Sequence, residues 1–156
     1  MAPEVFFSVC YLDSSPPEAV RNLYTFSPAI LDGYCRHRVK YADYPAIIPE
    51  EGHTVRGIYA TGLTDANLSK LDFFEGSEYE RKTVSIRLEE KDTNGNIVLG
   101  ETKTTSVYVF IRPEGVERGE WDFEKFCKEK MQSWTRGDWA FDQDPDDRAK
   151  VESAAV

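Results

Sequence analysis

Glu75 is the side chain in this sequence whose setting best supports chemistry. It lies between Phe73-Phe74 and Gly76, where a helical pattern gives way to a strand pattern that begins at Tyr79. A carboxylate among apolar neighbours ionises less readily than one in water, so its pKa rises and it becomes a candidate general base. The alternative is that Glu75 is an ordinary solvated residue at a helix end, because most glutamates are exposed.

The helix that carries Glu75 is expected to begin after Thr64 and to end at Gly76. Thr64 can cap the helix with its hydroxyl, and glycine is common just past a helix C-terminus in a left-handed conformation. The apolar residues at helical spacing, which should face the core, are Leu68, Leu71 and Phe74. Glu75 then lies in the last turn, where the helix dipole disfavours negative charge. If its side chain points inward, the dipole and the apolar neighbours both raise its pKa.

Metal-binding and disulfide patterns are absent from the sequence. The three cysteines are Cys10, Cys35 and Cys127. They are odd in number, widely spaced and outside any CxxC motif, and His37 and His53 show no ligand or triad spacing, so both histidines are expected to be structural or on the surface. The acidic run over 142–147 lacks the glycine and the terminal glutamate of a calcium loop. We therefore expect no metal, and a reducing, cytoplasmic compartment.

Composition restricts the class of partner. The chain has 156 residues, enough for one domain with a core, and 28 acidic against 19 basic residues give a net charge of −9. Such a charge argues against a nucleic-acid binder and against docking on anionic membranes. No apolar run is long enough to span a membrane, and no basic region precedes an apolar stretch as in a secretory signal.

The N-terminal half is expected to contain two helices and the first strands. Pro3 suits the first position of a helix over 3–12, which is apolar on nearly every side and should be buried. A second, short helix over 16–24 would take Ser15 as its cap. The elements expected next are a strand over 29–39 with a kink or bulge at Gly33, an extended segment over 44–49 at a sheet edge or on a pocket wall, a turn at 50–52 and a strand over 54–63.

The C-terminal half is expected to begin with a hairpin. Strands over 79–90 and 97–111 flank Asn94-Gly95, a strong hairpin-turn signal. Asp122 would cap an amphipathic helix from Phe123 to Trp134, and residues 137–156 would form an acidic tail. The element order predicts an α+β domain with a small barrel-like, mixed or antiparallel sheet and flanking helices.

Several ordered segments resemble the gamma-glutamylcyclotransferase-like family, especially its plant and fungal avirulence-induced branch. The segments are Met1–Val5, Leu31–Tyr34 with Tyr44–Ile47, Val55–Tyr59, Leu71–Gly76 with Tyr79–Arg81, and Gly119–Phe123. Their order and spacing carry the resemblance, since no single motif is highly specific.

The resemblance implies an activity and a substrate class. In this family the α-amine of a small γ-glutamyl compound attacks its own γ-carbonyl, which yields 5-oxoproline and a released amine or amino acid. The residue at Glu75 would be the proton acceptor. From their positions, Tyr79 is expected to line the substrate pocket or bond near Glu75, with packing as the alternative, and Arg81 to pair with a carboxylate on the sheet rather than touch the substrate. The reaction needs no metal or organic cofactor.

One family feature does not occur in this sequence. The family's Tyr-Gly-Thr/Ser-Leu loop holds the substrate's α-carboxylate through backbone amides, and Met1 lies where that loop would end. Met1 is therefore the second expected substrate contact, and residues 1–136 are expected to form an N-terminally truncated domain. The alternative function is a non-catalytic relative that binds a metabolite or a protein.

Overall fold

The computed structural model describes residues 1–42, 44–119 and 121. The helices are α1 (Pro3–Tyr11), α2 (Glu18–Arg21) and α3 (Asp65–Glu75), and two short 3-10 turns cover Gly76–Glu78 and Pro113–Gly115. The strands are β1 (Thr25–Val39), β2 (Pro45–Thr61), β3 (Tyr79–Lys91), β4 (Ile97–Phe110) and β5 (Val116–Glu117). The predicted α+β class is confirmed. Among the described helices, none is long and apolar enough to cross a membrane.

Two long hairpins make up most of the sheet. The order of paired strands is β2-β1-β3-β4, with β5 beside β1, and every pairing is antiparallel. β1 and β2 pair along nearly their whole length, as do β3 and β4. β1 and β3 join the two hairpins through a short pairing, with Ala29 opposite Leu88 and Ile30 opposite Arg87. The predicted edge position of the 44–49 segment is therefore correct, because β2 ends the path.

A bulge interrupts the first hairpin. Asp32 pairs with Thr54 and Tyr34 with Pro49, so Gly33 alone faces residues 50–53. Gly33 has a φ of +76°, which favours glycine, and the predicted bulge there is confirmed. The predicted turn at 50–52 is wrong, because β2 continues through these residues. They form the longer side of the bulge, opposite a continuous β1.

The first helix is buried, as its apolar surface predicts. α1 begins at Pro3 and buries all its residues from Val5 to Cys10. Its two phenylalanines pack edge-on against Tyr24, with Phe6 at 4.9 Å and Phe7 at 5.8 Å between ring centroids. Such aromatic pairs add about 0.5–1.5 kcal/mol each beyond burial. Leu71 of α3 packs against this aromatic cluster.

The second helix begins later than the sequence suggested. Pro17, not Ser15, precedes α2, and no side chain caps the helix. The Ser15 amide instead donates to the Asp13 carboxylate at 2.9 Å. The predicted cap is therefore wrong, because Ser15 belongs to a turn closed by Asp13.

The predicted hairpin turn at Asn94-Gly95 is present, and it is stabilised by Asp92. The hairpin turn has Gly95 at a φ of +81°, and the Asp92 carboxylate accepts from the amides of Asn94 and Asn96, each at 2.8 Å. The predicted helix over 123–134 and the acidic tail over 137–156 lie outside the described residues.

Gly76 sets the end of α3. Its φ of +71° and ψ of −165° fall in a region that is open essentially to glycine alone, and its amide donates to the carbonyl of Asp72. The conformation has extended ψ and is therefore not the left-handed cap expected from the sequence. It turns the chain through the 3-10 turn and into β3 at Tyr79.

Replacing Gly76 by alanine should destabilise the fold by roughly 1–3 kcal/mol through backbone strain alone. A Cβ at Gly76 would meet nothing within 4 Å. Gly57 is equally open and has no positive φ, so Gly57→Ala is the matched control and should change stability by no more than about 0.5 kcal/mol. Urea unfolding of both variants measures the difference, and equal stabilities would show that Gly76 is unstrained.

Candidate active site

Local sequence places Glu75 on the inner side of α3. Thr64 accepts from the Asn67 amide at 3.2 Å while the Asn67 side chain accepts from the Thr64 amide at 2.9 Å, so a capping box fixes the start of the helix. Leu71 is buried against α1. Glu75 follows Leu71 by four residues and therefore projects from the same face of the helix. The Thr64 cap is confirmed, and Glu75 is not an ordinary solvated residue.

Desolvation dominates the electrostatics of Glu75. The side chain is partly buried, and this burial raises the pKa of its carboxyl to about 7. The positive charge of the α-amino group at Met1 acts in the opposite direction and offsets part of the rise. The Met1 amino group thus lies within electrostatic range of Glu75, and the carboxyl titrates near neutral pH.

Two tyrosine side chains share this environment. Burial raises the pKa of Tyr79, and the negative charge of Glu75 raises it further. The pKa of Tyr108 is raised by burial, then by its hydrogen bond to Asp72, and also by the charge of Glu75. Both phenols therefore stay protonated at neutral pH, and each has one O–H to donate.

Hydrogen bonds and ring packing hold these phenols in place. The Tyr79 hydroxyl donates to the Pro45 carbonyl at 3.3 Å, and its ring packs edge-on against Phe110 at 5.3 Å. The Tyr108 hydroxyl donates to an Asp72 carboxylate oxygen at 2.6 Å. Tyr79 is thus fixed by the sheet, and Tyr108 is fixed by α3.

Charged side chains surround the phenols in two pairs. Arg81 lies 3.5 Å from the Asp72 carboxylate, so its expected pairing with a carboxylate is confirmed, although that carboxylate lies on α3 and not on the sheet. Glu78 accepts from the Arg112 guanidinium at 3.0 Å and from the Tyr44 hydroxyl at 3.2 Å. The carboxylates of Asp72 and Glu78 are thus held by hydrogen bonds and ion pairs.

A separate open groove lies across α1 and α3. It has a volume of about 340 Å³ and is lined by Val9, Leu12, Ser69, Lys70, Phe73 and Phe74. Glu75 and Tyr79 are not among its lining residues. This groove is therefore distinct from the surroundings of the candidate base.

Sequence reasoning found part of this arrangement. The structure brings Glu75, Tyr79 and the Met1 amino group into electrostatic contact. It adds Tyr108 and Asp72, which the sequence did not single out. Tyr108 alternates with Val107 and Val109 in β4, so its side chain faces the opposite side of the sheet, and this alternation was the only available signal.

Comparison with known proteins identifies the class. The profile of the family described as gamma-glutamyl cyclotransferase, AIG2-like, matches residues 15–124. Protein AIG2 B of Arabidopsis thaliana is 36% identical over 129 residues, which are 80% of this chain and 72% of that protein. The chain belongs to this family, and the resemblance to its avirulence-induced branch is confirmed.

Further relatives agree with this assignment. Protein AIG2 C of Arabidopsis thaliana is 38% identical over 100 residues, which are 64% of this chain and 56% of that protein. The chain thus spans little more than half the length of that relative. The solution structure of the Arabidopsis thaliana protein At3g28950.1 superposes with a TM-score of 0.55 at 28% identity, covering 100% of this chain and 85% of that one.

The pKa of Glu75 predicts an unusual pH dependence of stability. A folded-state pKa near 7, above the ordinary value of 4.5, means that folding favours the protonated form. Stability is therefore lost as pH rises from 4.5 through 7. Glu75→Gln should be more stable than the parent at pH 8 by roughly 2–3 kcal/mol and nearly equal to it at pH 4.

Chemical unfolding at the two pH values measures this difference. Glu80→Gln is the control, because the Glu80 side chain is exposed and pairs with exposed Lys82, so its effect should be small at pH 8. A loss of stability in Glu75→Gln at pH 8 would contradict a desolvated, destabilising carboxylate at this position.

Proposed function

We propose that this chain is an intramolecular cyclotransferase that converts a small γ-glutamyl compound to 5-oxoproline. The observation that carries the proposal is the carboxyl of Glu75, partly buried at the α3–β3 junction with a pKa of about 7. Membership in the gamma-glutamyl cyclotransferase, AIG2-like family supports the substrate class. The Arabidopsis relatives are named only as AIG2 proteins, so the reaction rests on the site and not on their names.

The reaction divides into a proton transfer and an acyl transfer. The substrate's α-ammonium gives one proton to Glu75, and the neutral nitrogen attacks the γ-carbonyl carbon to form the five-membered ring. The bond from that carbon to the departing nitrogen then breaks. As the lactam forms, the ring nitrogen gives up its second proton, and both protons end on the departing nitrogen, which leaves as an ammonium. Glu75 is restored as a carboxylate, no water is consumed and no redox partner is required.

The pKa of Glu75 matches this task. A free α-ammonium has a pKa of about 7.7–8.0, whereas an ordinary glutamate has one near 4.3 and would be a poor acceptor. Raising the pKa of the glutamate to about 7 brings it close to the pKa of the α-ammonium, so proton transfer between the two groups becomes easier. Because nucleophile and electrophile belong to one molecule, the remaining task is to hold a folded conformer of the substrate.

Tyr79 and Met1 are the proposed substrate contacts. The Tyr79 hydroxyl donates to the Pro45 carbonyl, and its oxygen retains a lone pair that can accept from an N–H of the substrate. The backbone at Met1 leads into α1, and its amino group already acts on the Glu75 carboxyl through space.

Release of 5-oxoproline tests the proposal. The protein is incubated with γ-glutamyl amino acids and γ-glutamyl amines, and the product is quantified by mass spectrometry. Glu75→Gln should lower kcat/KM on the order of 10²–10⁴-fold, the usual contribution of a general base. In the parent, kcat/KM should fall as pH drops through about 7, after correction for titration of the substrate amine, and this limb should be absent in Glu75→Gln.

Glu80→Gln serves as the control for activity, because this exposed carboxylate should leave kcat/KM unchanged. Unaltered turnover in Glu75→Gln would refute the assignment of the base. No turnover, together with saturable binding of γ-glutamyl compounds in calorimetry, would replace the enzyme by the alternative, a metabolite-binding relative.

A further inference from the structure

A second group of reactive side chains lies on the first hairpin, apart from the residues around Glu75. Cys35 and His37 are two residues apart on β1 and therefore project from one face of the sheet. Cys35 lies opposite Ile48 of β2, and Glu50 follows in the unpaired stretch at the bulge. The first hairpin and its bulge thus bring together three residue types that all bind transition metals.

These three side chains are close and well shielded. One donor atom of each lies within 4.8 Å of those of the other two. Cys35 is 4% exposed and His37 is 3% exposed, while the Glu50 side chain is 24% exposed. His37 Nε2 lies 2.7 Å from Glu50 Oε2. A cation at this cluster would have two buried ligands and one that reaches solvent.

The second ring nitrogen of His37 has its own partner. Nδ1 lies 3.1 Å from the Gly119 carbonyl oxygen and 3.2 Å from the Gly119 amide nitrogen. When Nδ1 accepts from the Gly119 amide, the Nε2 N–H donates to Glu50. A cation at Nε2 would replace that proton, and Nδ1 would then carry the proton and donate to the Gly119 carbonyl. Metal-binding histidines usually donate their other ring N–H to a backbone carbonyl or a carboxylate, which fixes the tautomer in this way.

Competing charges around Glu50 lie on exposed side chains. Arg118 Nη1 is 3.2 Å from Glu50 Oε2, and His53 Nδ1 is 3.6 Å from Oε1. The Arg118 side chain is 69% exposed and that of His53 is 51% exposed. Both can withdraw into water when a cation takes their place. A thiolate and a carboxylate together balance the two positive charges of a divalent ion.

We propose that Cys35, His37 and Glu50 form a binding site for a divalent transition-metal ion, with zinc the best match. Zinc accepts sulfur, imidazole nitrogen and carboxylate oxygen at about 2.0–2.3 Å, which requires donor separations of about 3.5 Å. The cluster therefore needs to close by about an ångström. Three protein ligands leave a fourth position for water or another small ligand, and the bound ion would link β1 and β2 to the segment at Gly119.

Zinc binding tests this proposal independently of the cyclotransferase activity. The full-length, reduced and EDTA-dialysed protein is titrated with zinc chloride in a calorimeter. One ion per chain is expected, with affinity at least about tenfold weaker in Cys35→Ser, His37→Gln and Glu50→Gln. Cys10→Ser and Cys127→Ser, which alter the other two cysteines, should bind like the parent, as should His53→Gln.

Cobalt substitution identifies the ligands. Cobalt(II) bound by a thiolate gives a sulfur-to-metal charge-transfer band, which should be present in the parent and in Cys10→Ser and absent in Cys35→Ser. Saturating zinc should also raise the Tm of the parent but not of His37→Gln, because a ligand that binds only the folded state stabilises it.

Three results would overturn the proposal. These are no zinc binding by the parent, binding that persists unchanged in Cys35→Ser and His37→Gln, or a charge-transfer band that depends on Cys127. If the buried variants fail to fold, Glu50→Gln decides, since this side chain reaches solvent and glutamine keeps its shape. Unchanged zinc affinity in that variant would show that Glu50 is not a ligand and that its hydrogen bond to His37 is structural.

Discussion

The conformation of the chain at Gly76 is the constraint on which the candidate active site depends. Its φ of +71° with extended ψ ends α3 one residue after Glu75 and turns the chain toward β3, where Tyr79 is the first residue. The carboxylate stays on the helix face that packs toward α1, while the phenol is held by the sheet. A regular continuation of the helix would take Tyr79 out of β3, where its hydroxyl donates to the Pro45 carbonyl and its ring packs against Phe110.

Burial of Glu75 opposes stability and gives the site its chemical character. A carboxyl that titrates near 7 weakens the folded state at physiological pH, and the aromatic cluster of α1 with Tyr24 and Leu71 offsets this loss. Proteins commonly accept such local destabilisation where a titratable group must act. In the reaction proposed for this member of the gamma-glutamyl cyclotransferase, AIG2-like family, the raised pKa lets Glu75 accept a proton from the substrate amine.

Local signals predicted the features that depend on a few neighbouring residues: the Thr64 cap, the Gly33 bulge, the Asn94-Gly95 turn and the buried first helix. The wrong predictions concern residues whose structure is set by a hydrogen-bond partner or a neighbouring strand that the local pattern does not identify. Asp13 claims the Ser15 amide, and an unbroken β1 keeps residues 50–52 in a strand. The same holds for two pairs of side chains that meet in the fold, Tyr108 with Glu75 and Glu50 with His37. Their proximity depends on how the strands pair, which one sequence does not specify.

Direct titration of Glu75 tests the central claim. The protein is labelled with ¹³C at the glutamate side-chain carboxyl, and Glu75→Gln identifies the resonance of interest. The account predicts that this resonance titrates with a midpoint near 7. A midpoint near 4.5, the ordinary value, would show that Glu75 is solvated and would remove the physical basis for its role as a base.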